Sequence, residues 1–286
     1  MRRRAFRLLA ALLLAALPLA GGPAAAGGGT PGKPQRIASL NLCADELLLR
    51  LVEPERVASV TWLARDPGGS GVAAQAAAIP VNQGLAEEIV PLRPDLVIVG
   101  AHTTRTAAAL VKRLGVPLLE LDMPRTVEGV AEQIRRVAEA VGEPERGEAL
   151  VAGMMGRFAA LDSAPPERRP GAVVLRPNGF VAGSGSLVDT ILERAGLENL
   201  ADRLPLGSQG ALPLEAIILG GAERLIVDTT PDAPPSLGEA VLLHPAILAL
   251  AERVRTVSVP SRLWSCATPE IAEAAERLAA ARKDGP

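Results

Sequence analysis

The chain has 286 residues, of which 48% are hydrophobic but only 2% are aromatic, and it contains no tyrosine. Its 30 basic and 32 acidic residues give a net charge of −2 at pH 7, which offers no support for nucleic-acid binding. A chain of this length can bury a large core, as one large or two medium domains, and this core must be aliphatic.

The first 26 residues have the pattern of a secretory signal peptide. Four arginines within the first seven residues form a positive region, and an apolar stretch runs from Leu8 to Leu19. That stretch, about a dozen residues long, is short for a membrane span, and Ala24 to Ala26 offer an A-x-A cleavage site. Cleavage would leave 26 basic against 32 acidic residues, a net charge of −6. We therefore expect an exported protein with a cleavable signal.

Strand and helix signals alternate after the signal peptide. Short β-branched or continuously apolar runs predict strands at residues 36–40, 56–61, 95–100 and 116–121. The spacing of apolar residues predicts a helix that includes residues 47–52, after a loop over 41–46, and a second helix over 103–114. This rhythm is typical of a parallel sheet with helices on both faces.

The middle of the chain has no strand signal between residues 122 and 170. Two helices are predicted there, over 126–141 and from Pro144 to Leu161. The alternation then resumes, with strands at 172–175, 180–182, 224–227 and 254–259 and helices at 187–195 and 268–282. We therefore predict an α/β fold with two Rossmann-like lobes, which are joined by a long, rigid helix and hold a cleft between them. The expected boundaries are a signal peptide over 1–26, an N-terminal lobe over 27–125, a helical linker over 126–166 and a C-terminal lobe over 167–286.

A pattern of a Gln-Gly turn, a glutamate and a buried hydrophobic run occurs twice. The first copy begins at Gln83 and places Glu87 after the turn, and the second begins at Gln209 and places Glu215 in the equivalent position. Two similar modules with one matched acid each predict two similar lobes, each presenting a carboxylate.

Several chemistries lack their sequence motifs. There is no G-x-S-x-G nucleophile elbow and no Walker A sequence, and Val188 stands where a dinucleotide fingerprint needs its third glycine. The two histidines, His102 and His244, share no ligand spacing with a cysteine, so no metal site built from protein ligands alone is expected. His102 remains a candidate for ligand contact because it follows a predicted strand.

Three segments resemble periplasmic binding proteins for ferric siderophores and cobalamin. They are the strand and loop over 36–46, the Gly-x-x-Glu turn with the Leu-x-Pro-Asp-Leu-Val-Ile run over 84–98, and the segment over 264–269. The resemblance implies two lobes, a shallow ligand cleft, no cofactor, no enzymatic activity, a monomer in the periplasm, and delivery to an ABC permease dimer in the inner membrane. It also implies that Glu87 and Glu215 dock into arginine pockets of the two permease subunits. The alternatives are that both acids only stabilise helix N-termini, or that Glu88 is the exposed acid.

The cleft of such a fold is lined by loops that follow the strands. Those loops carry the candidate ligand-binding residues Cys43, Trp62, Arg65, His102, Arg105, Arg176, Arg262 and Trp264. Arginines offer forked donors for oxygen-rich ligands. Cys43 and Cys266 are the two cysteines, and they could form a disulfide between the lobes, remain free thiols, or contact the ligand's metal.

A carrier for a bulky metal chelate follows from the resemblance and these loops. A ferric siderophore is favoured over cobalamin because arginines outnumber aromatic residues in the predicted cleft. The alternative from another class is a secreted α/β hydrolase, which would need an acid–base pair such as Asp45 or Asp66 with His102.

Overall fold

A computed structural model describes residues 32–101, 105–163, 167–176, 181–203, 220–229, 244–245, 249 and 254–283. The segment Lys33–Pro286 forms one compact unit. Among the helices of the described ranges, none combines the length and the apolar character that crossing a membrane requires.

The N-terminal lobe is built on a five-stranded parallel sheet. Its strands are β1 (Ile37–Ser39), β2 (Val57–Thr61), β3 (Val81–Asn82), β4 (Leu96–Gly100) and β5 (Leu118–Leu121), in the order β3-β2-β1-β4-β5. From β1 the chain first adds β2 and β3 on one side and then β4 and β5 on the other, as in doubly wound folds. Four helices belong to this lobe: α1 (Leu42–Leu51), α2 (Ala73–Ala76), α3 (Ala86–Ile89) and α4 (Arg105–Arg113).

The C-terminal lobe carries a second parallel sheet. Its strands are β6 (Gly171–Leu175), β7 (Glu198–Asn199), β8 (Arg224–Thr229) and β9 (Arg255–Pro260), in the order β7-β6-β8-β9. Helices α7 (Leu187–Arg194) and α8 (Ile271–Lys283) belong to this lobe. A strand was predicted at 180–182. The described residues 181–182 form no strand, and Val181 makes only an isolated antiparallel bridge with Leu175.

Two long helices connect the lobes. Thr126 caps the start of α5 (Val127–Val141), where its Oγ1 accepts a hydrogen bond from the Gly129 N–H at 3.0 Å. Gly142 ends this helix at φ 74°, a left-handed conformation that suits glycine. Helix α6 (Pro144–Asp162) follows and packs against α5, α7 and α8.

The core is aliphatic, as the composition predicts. Strands β1, β4 and β6 are almost fully buried, because both faces of a parallel sheet are covered by helices. Phe158 of α6 is the largest of the side chains that are less than 2% exposed, and the buried Trp264 also belongs to the core. The predicted fold class, two α/β lobes with parallel sheets joined by a long helix, is confirmed.

Candidate ligand-binding cleft

A cavity of about 940 Å³ lies at the carboxyl ends of strands from both sheets. Gly100 and Ala101 contribute from the end of β4, Arg176 follows β6, and Trp264 comes shortly after β9. Parallel α/β sheets bind their ligands at this edge, where the loops can be shaped without disturbing the core. The other lining residues are Asn41, Cys43, Leu121, Asp122, Met123, Pro124, Arg125, Gln133, Val181, Ala182, Gly183, Ser184, Gly185, Ser186, Leu187, Val188, Ser265 and Ala267.

Two helices begin at the wall of this cavity. The Asn41 side chain caps α1 by accepting hydrogen bonds from the N–H groups of Cys43, at 3.0 Å, and Ala44, at 3.3 Å. Ser186 caps α7 by accepting from the Asp189 N–H at 3.2 Å. The N-terminus of a helix carries a partial positive charge, so both helix starts favour oxygen-rich or anionic groups in the cavity.

Two arginines add full positive charges to the same wall. Arg125 is exposed and precedes the capping residue of α5, whereas Arg176 is half-buried at the end of β6. The acid among the lining residues, Asp122, accepts a hydrogen bond from Arg136 at 2.8 Å, which compensates its charge. The charged residues of the described wall are therefore these two arginines and Asp122.

A covalent and ionic connection joins the two lobes beside the cavity. The sulfur atoms of Cys43 in α1 and Cys266 in the segment before α8 are 2.11 Å apart, which is a disulfide bond. Two turns further along α1, the Arg50 Nε donates to Glu270 Oε1 at 3.0 Å. We call this pair of interlobe contacts the latch. Because Cys43 also lines the cavity, the latch fixes the position of one cavity wall relative to the other lobe.

Two buried carboxyl groups of α1 lie behind the cavity. Asp45 accepts hydrogen bonds from the Thr61 N–H at 3.1 Å and the Thr61 hydroxyl at 2.5 Å, and burial raises its pKa to about 7. Burial also raises the pKa of Glu46, which accepts from the Gly71 N–H at 2.9 Å. Both acids stabilise loops of the N-terminal lobe and do not line the cavity.

Asp45→Asn should make the free energy of unfolding less dependent on pH. The raised pKa means that the folded protein keeps this proton until about pH 7, whereas the unfolded chain loses it near pH 4. The shifted ionisation of Asp45 therefore does not affect the free energy of unfolding at low pH, and it lowers this free energy progressively as the pH rises from 4 to 7. We expect the variant to gain stability relative to wild type over this range, by about 2–4 kcal/mol at pH 7.5. Urea unfolding at pH 4.5 and 7.5 measures this gain, and an equal difference at both pH values would contradict it.

The structure brings three of the predicted ligand-binding residues to the cavity, namely Cys43, Arg176 and Trp264. Three others lie elsewhere: Trp62 is half-exposed, Arg105 is exposed at the start of α4, and Arg262 is half-buried in a short 3-10 helix. None of these three is among the lining residues.

Arg65 has a structural role in the N-terminal lobe. Its guanidinium donates to the carbonyl oxygens of Ala76, at 3.1 Å, and Ile79, at 2.6 Å, and it does not line the cavity. The acids considered for a hydrolase are also engaged elsewhere, because Asp66 accepts from the Gly68 N–H at 3.0 Å and Asp45 is bound to Thr61. His102 lies outside the described residues.

The two neighbouring glutamates of α3 have different surroundings. Glu88 Oε2 accepts hydrogen bonds from the N–H groups of Gln83, at 2.8 Å, and Leu85, at 3.2 Å, and so caps the start of the helix. Glu87 is exposed, and no hydrogen bond or ion pair engages it within the described part of the chain. The capping role therefore belongs to Glu88, and Glu87 is available to a partner. Glu215 lies outside the described residues.

Several polar residues of the wall were not among the predicted ligand-binding residues, including Arg125, Gln133 and Ser186. Arg125 is the last residue before the helical linker and Gln133 lies within it, a region in which no strand end indicated a ligand site, and Ser186 directly precedes the predicted helix at 187–195. A signal was present for Gln133, because it occupies the buried face of α5 among Val130, Ile134 and Val137. A polar residue on an apolar helix face indicates a specific role.

Sequence and structure comparisons agree on one class of protein. The profile of the family described as periplasmic binding protein matches residues 37–238. The cobalamin-binding protein of Halobacterium salinarum is 23% identical over 258 residues, which cover 86% of this chain and 69% of that protein.

Two solved structures share the fold. A periplasmic heme-binding protein from Roseiflexus sp. RS-1 superposes with a TM-score of 0.68 at 24% identity, covering 87% of this chain and 99% of that one. A protein of an Fe3+-hydroxamate transport system from Saccharomonospora viridis superposes with a TM-score of 0.64 at 23% identity, covering 88% and 94%. At these identities the superpositions establish the common fold.

Proposed function

This chain belongs to the periplasmic binding protein family, and from that premise we propose that it is the solute-binding component of an ABC importer for a bulky metal chelate. It would capture the chelate in the periplasm, after export by its signal peptide, and deliver it to an inner-membrane permease without chemical change. The cobalamin, heme and Fe3+-hydroxamate in the names of its relatives are all metal ions held by organic chelators.

The observation that carries this proposal is the cavity at the carboxyl ends of strands from both sheets, whose described wall includes two arginines. Its volume of about 940 Å³ lies within the range for sites that enclose large organic ligands. Arg125 and Arg176 provide donors, and the starts of α1 and α7 add partial positive charge, for a ligand whose surface is rich in oxygen atoms.

A ferric siderophore fits the described wall better than a flat macrocycle. A corrin or porphyrin ring is usually held against exposed aromatic faces, but Trp264 is only 2% exposed and Trp62 lies outside the cavity. The chain has no tyrosine, and the described lining includes no histidine, so it offers neither of these ligands to a heme iron. Ferric siderophores present their metal inside a shell of oxygen donors and need no metal ligand from the protein.

Delivery requires a contact with the permease. Glu87 supports such a role because it is exposed and unengaged within the described residues, and the exposed side chains of Leu85 and Val90 adjoin it. We assign the matching contact on the other lobe to Glu215, which occupies the equivalent place in the second copy of the repeated pattern. One carboxylate on each lobe would orient a monomeric carrier on a two-fold symmetric permease.

Ligand titration tests this assignment. We expect isothermal titration calorimetry with ferrioxamine B, ferric enterobactin, cyanocobalamin and haemin to give one site per protein for at least one ferric siderophore, with a dissociation constant of about 1 μM or tighter. Bound chelate should quench the emission of Trp264, so that Trp264→Phe loses more of the quenching than the matched variant Trp62→Phe. Chemical analysis should recover the ligand unchanged. Binding of none of the four chelates, or their conversion to a product, would contradict the proposal.

A further inference from the structure

Two buried polar groups in the cavity wall have unmade hydrogen bonds. Within the described part of the chain, neither Gln133 Oε1 nor Trp264 Nε1 has a hydrogen-bond partner. Gln133 is 4% exposed and Trp264 is 2% exposed, and both residues line the cavity. Since each unmade hydrogen bond of a buried group destabilises the folded state, these two residues are not explained by stability.

The surroundings of Gln133 strengthen this argument. It lies on the buried face of α5, whose other members, such as Val130, Ile134 and Val137, are apolar. An apolar side chain of the same size would fill this position without an unpaired amide. Trp264 similarly places an indole N–H in the wall where phenylalanine would give an aromatic side chain with no unpaired donor.

The chemistry of the two groups defines what they can recognise. The Gln133 amide carries an acceptor and two donors, and a rotation of its terminal amide exchanges the group that it presents to the cavity. The Trp264 indole can only donate. A ligand that engages both must carry a carbonyl-type acceptor for the indole and an amide N–H that donates to the Gln133 oxygen. Hydroxamate groups that hold a ferric ion have lost their N–OH hydrogen, so they can serve only as the acceptor. Carboxylates alone do not satisfy Gln133 Oε1, because an ionised carboxylate has no hydrogen to donate.

We propose that Gln133 and Trp264 form a polar recognition pair that selects metal chelates bearing amide groups. This inference rests on the proposed function, because it names the chemical class of the ligand in the same cavity. Both residues line the cavity but both atoms are buried in the free protein, so contact with the ligand requires each side chain to rotate toward the cavity. The unmade hydrogen bonds of the free protein then form in the complex, which gives the pair its selectivity.

Exchange of Gln133 for a side chain of similar size separates recognition from folding. We expect Gln133→Met to raise Tm by about 2–4 °C, because an unpaired buried amide is removed. The same change should weaken binding of ferrioxamine B about tenfold by isothermal titration calorimetry, because a hydrogen bond to the ligand is lost. Trp264→Phe should also weaken binding about tenfold. The matched controls, Gln75→Met on the exposed surface of α2 and Trp62→Phe, should leave the affinity unchanged.

The outcomes separate this inference from the proposed function. If the wild-type protein binds ferrioxamine B or cyanocobalamin and Gln133→Met binds that chelate equally well, the recognition pair is wrong and the carrier function stands. If haemin, whose polar groups are carboxylates, binds more tightly than either amide-bearing chelate, the inference is again wrong and the carrier function stands. If no metal chelate binds, both fail together.

Discussion

Removing the disulfide between Cys43 and Cys266 is expected to lower the free energy of unfolding by about 3–5 kcal/mol. The two cysteines are 223 residues apart, so the bond closes most of the chain into one loop and greatly restricts the unfolded state. It also holds α1 against the segment before α8, where the Arg50–Glu270 ion pair is only partly exposed to solvent. Urea unfolding of the Cys43→Ser/Cys266→Ser double variant measures the loss.

The wild-type protein provides the control for this experiment. Treatment with dithiothreitol should bring the unfolding midpoint of the wild type to that of the double variant, and the double variant should not respond to the reductant. An unchanged midpoint in the double variant would contradict the role that we give to the latch in stability.

Reversing the charge of Glu87 and Glu215 together should reduce uptake through the cognate importer at least about tenfold, while ligand affinity stays unchanged. Glu87 is exposed on α3 and is not among the residues that line the cavity, so a change there should not reach the ligand. An arginine at each position would meet a cationic pocket of the permease, and like charges in a partly desolvated contact repel each other. Each single reversal should impair uptake as well, because both permease subunits must be engaged.

A matched surface variant controls for the change in net charge. Glu55→Arg reverses an exposed acid of the N-terminal lobe that has no hydrogen bond or ion pair within the described residues, and its uptake should equal that of the wild type. Glu88 is unsuitable as a control because it caps α3. Uptake at the wild-type rate by the double variant, with normal amounts of protein in the periplasm, would remove the docking role from both glutamates.

The fold could be predicted because its signals are local. Strands such as β4 are continuous apolar runs between proline and glycine, and α5 has both a capping threonine and a terminating glycine. The two-residue strands β3 and β7 were missed, because pairing with a neighbouring strand creates them and no local pattern does.

The cleft was only partly predictable from the loops that follow strands. Trp264 and Arg176 reach the cavity, but Trp62 follows the strand β2, whose neighbouring strand β3 lies on the side away from the centre of the sheet. Strand order, which the sequence does not state, therefore decides which loops meet. Arg125 directly precedes the linker between the lobes and Gln133 lies in it, and the packing of α5 against α1, α6 and α7 places Gln133 at the cavity.

Native mass spectrometry of the protein purified from its own periplasm tests the central claim most directly. We expect one population with a single adduct per chain, whose isotope pattern contains a transition metal and whose fragments include an organic chelator with amide groups. The adduct should be absent from a variant in which Arg125 and Arg176 are both replaced by glutamate. Protein that carries no metal chelate after growth with limited metal, or that carries a metal-free product of hydrolysis, would contradict the account.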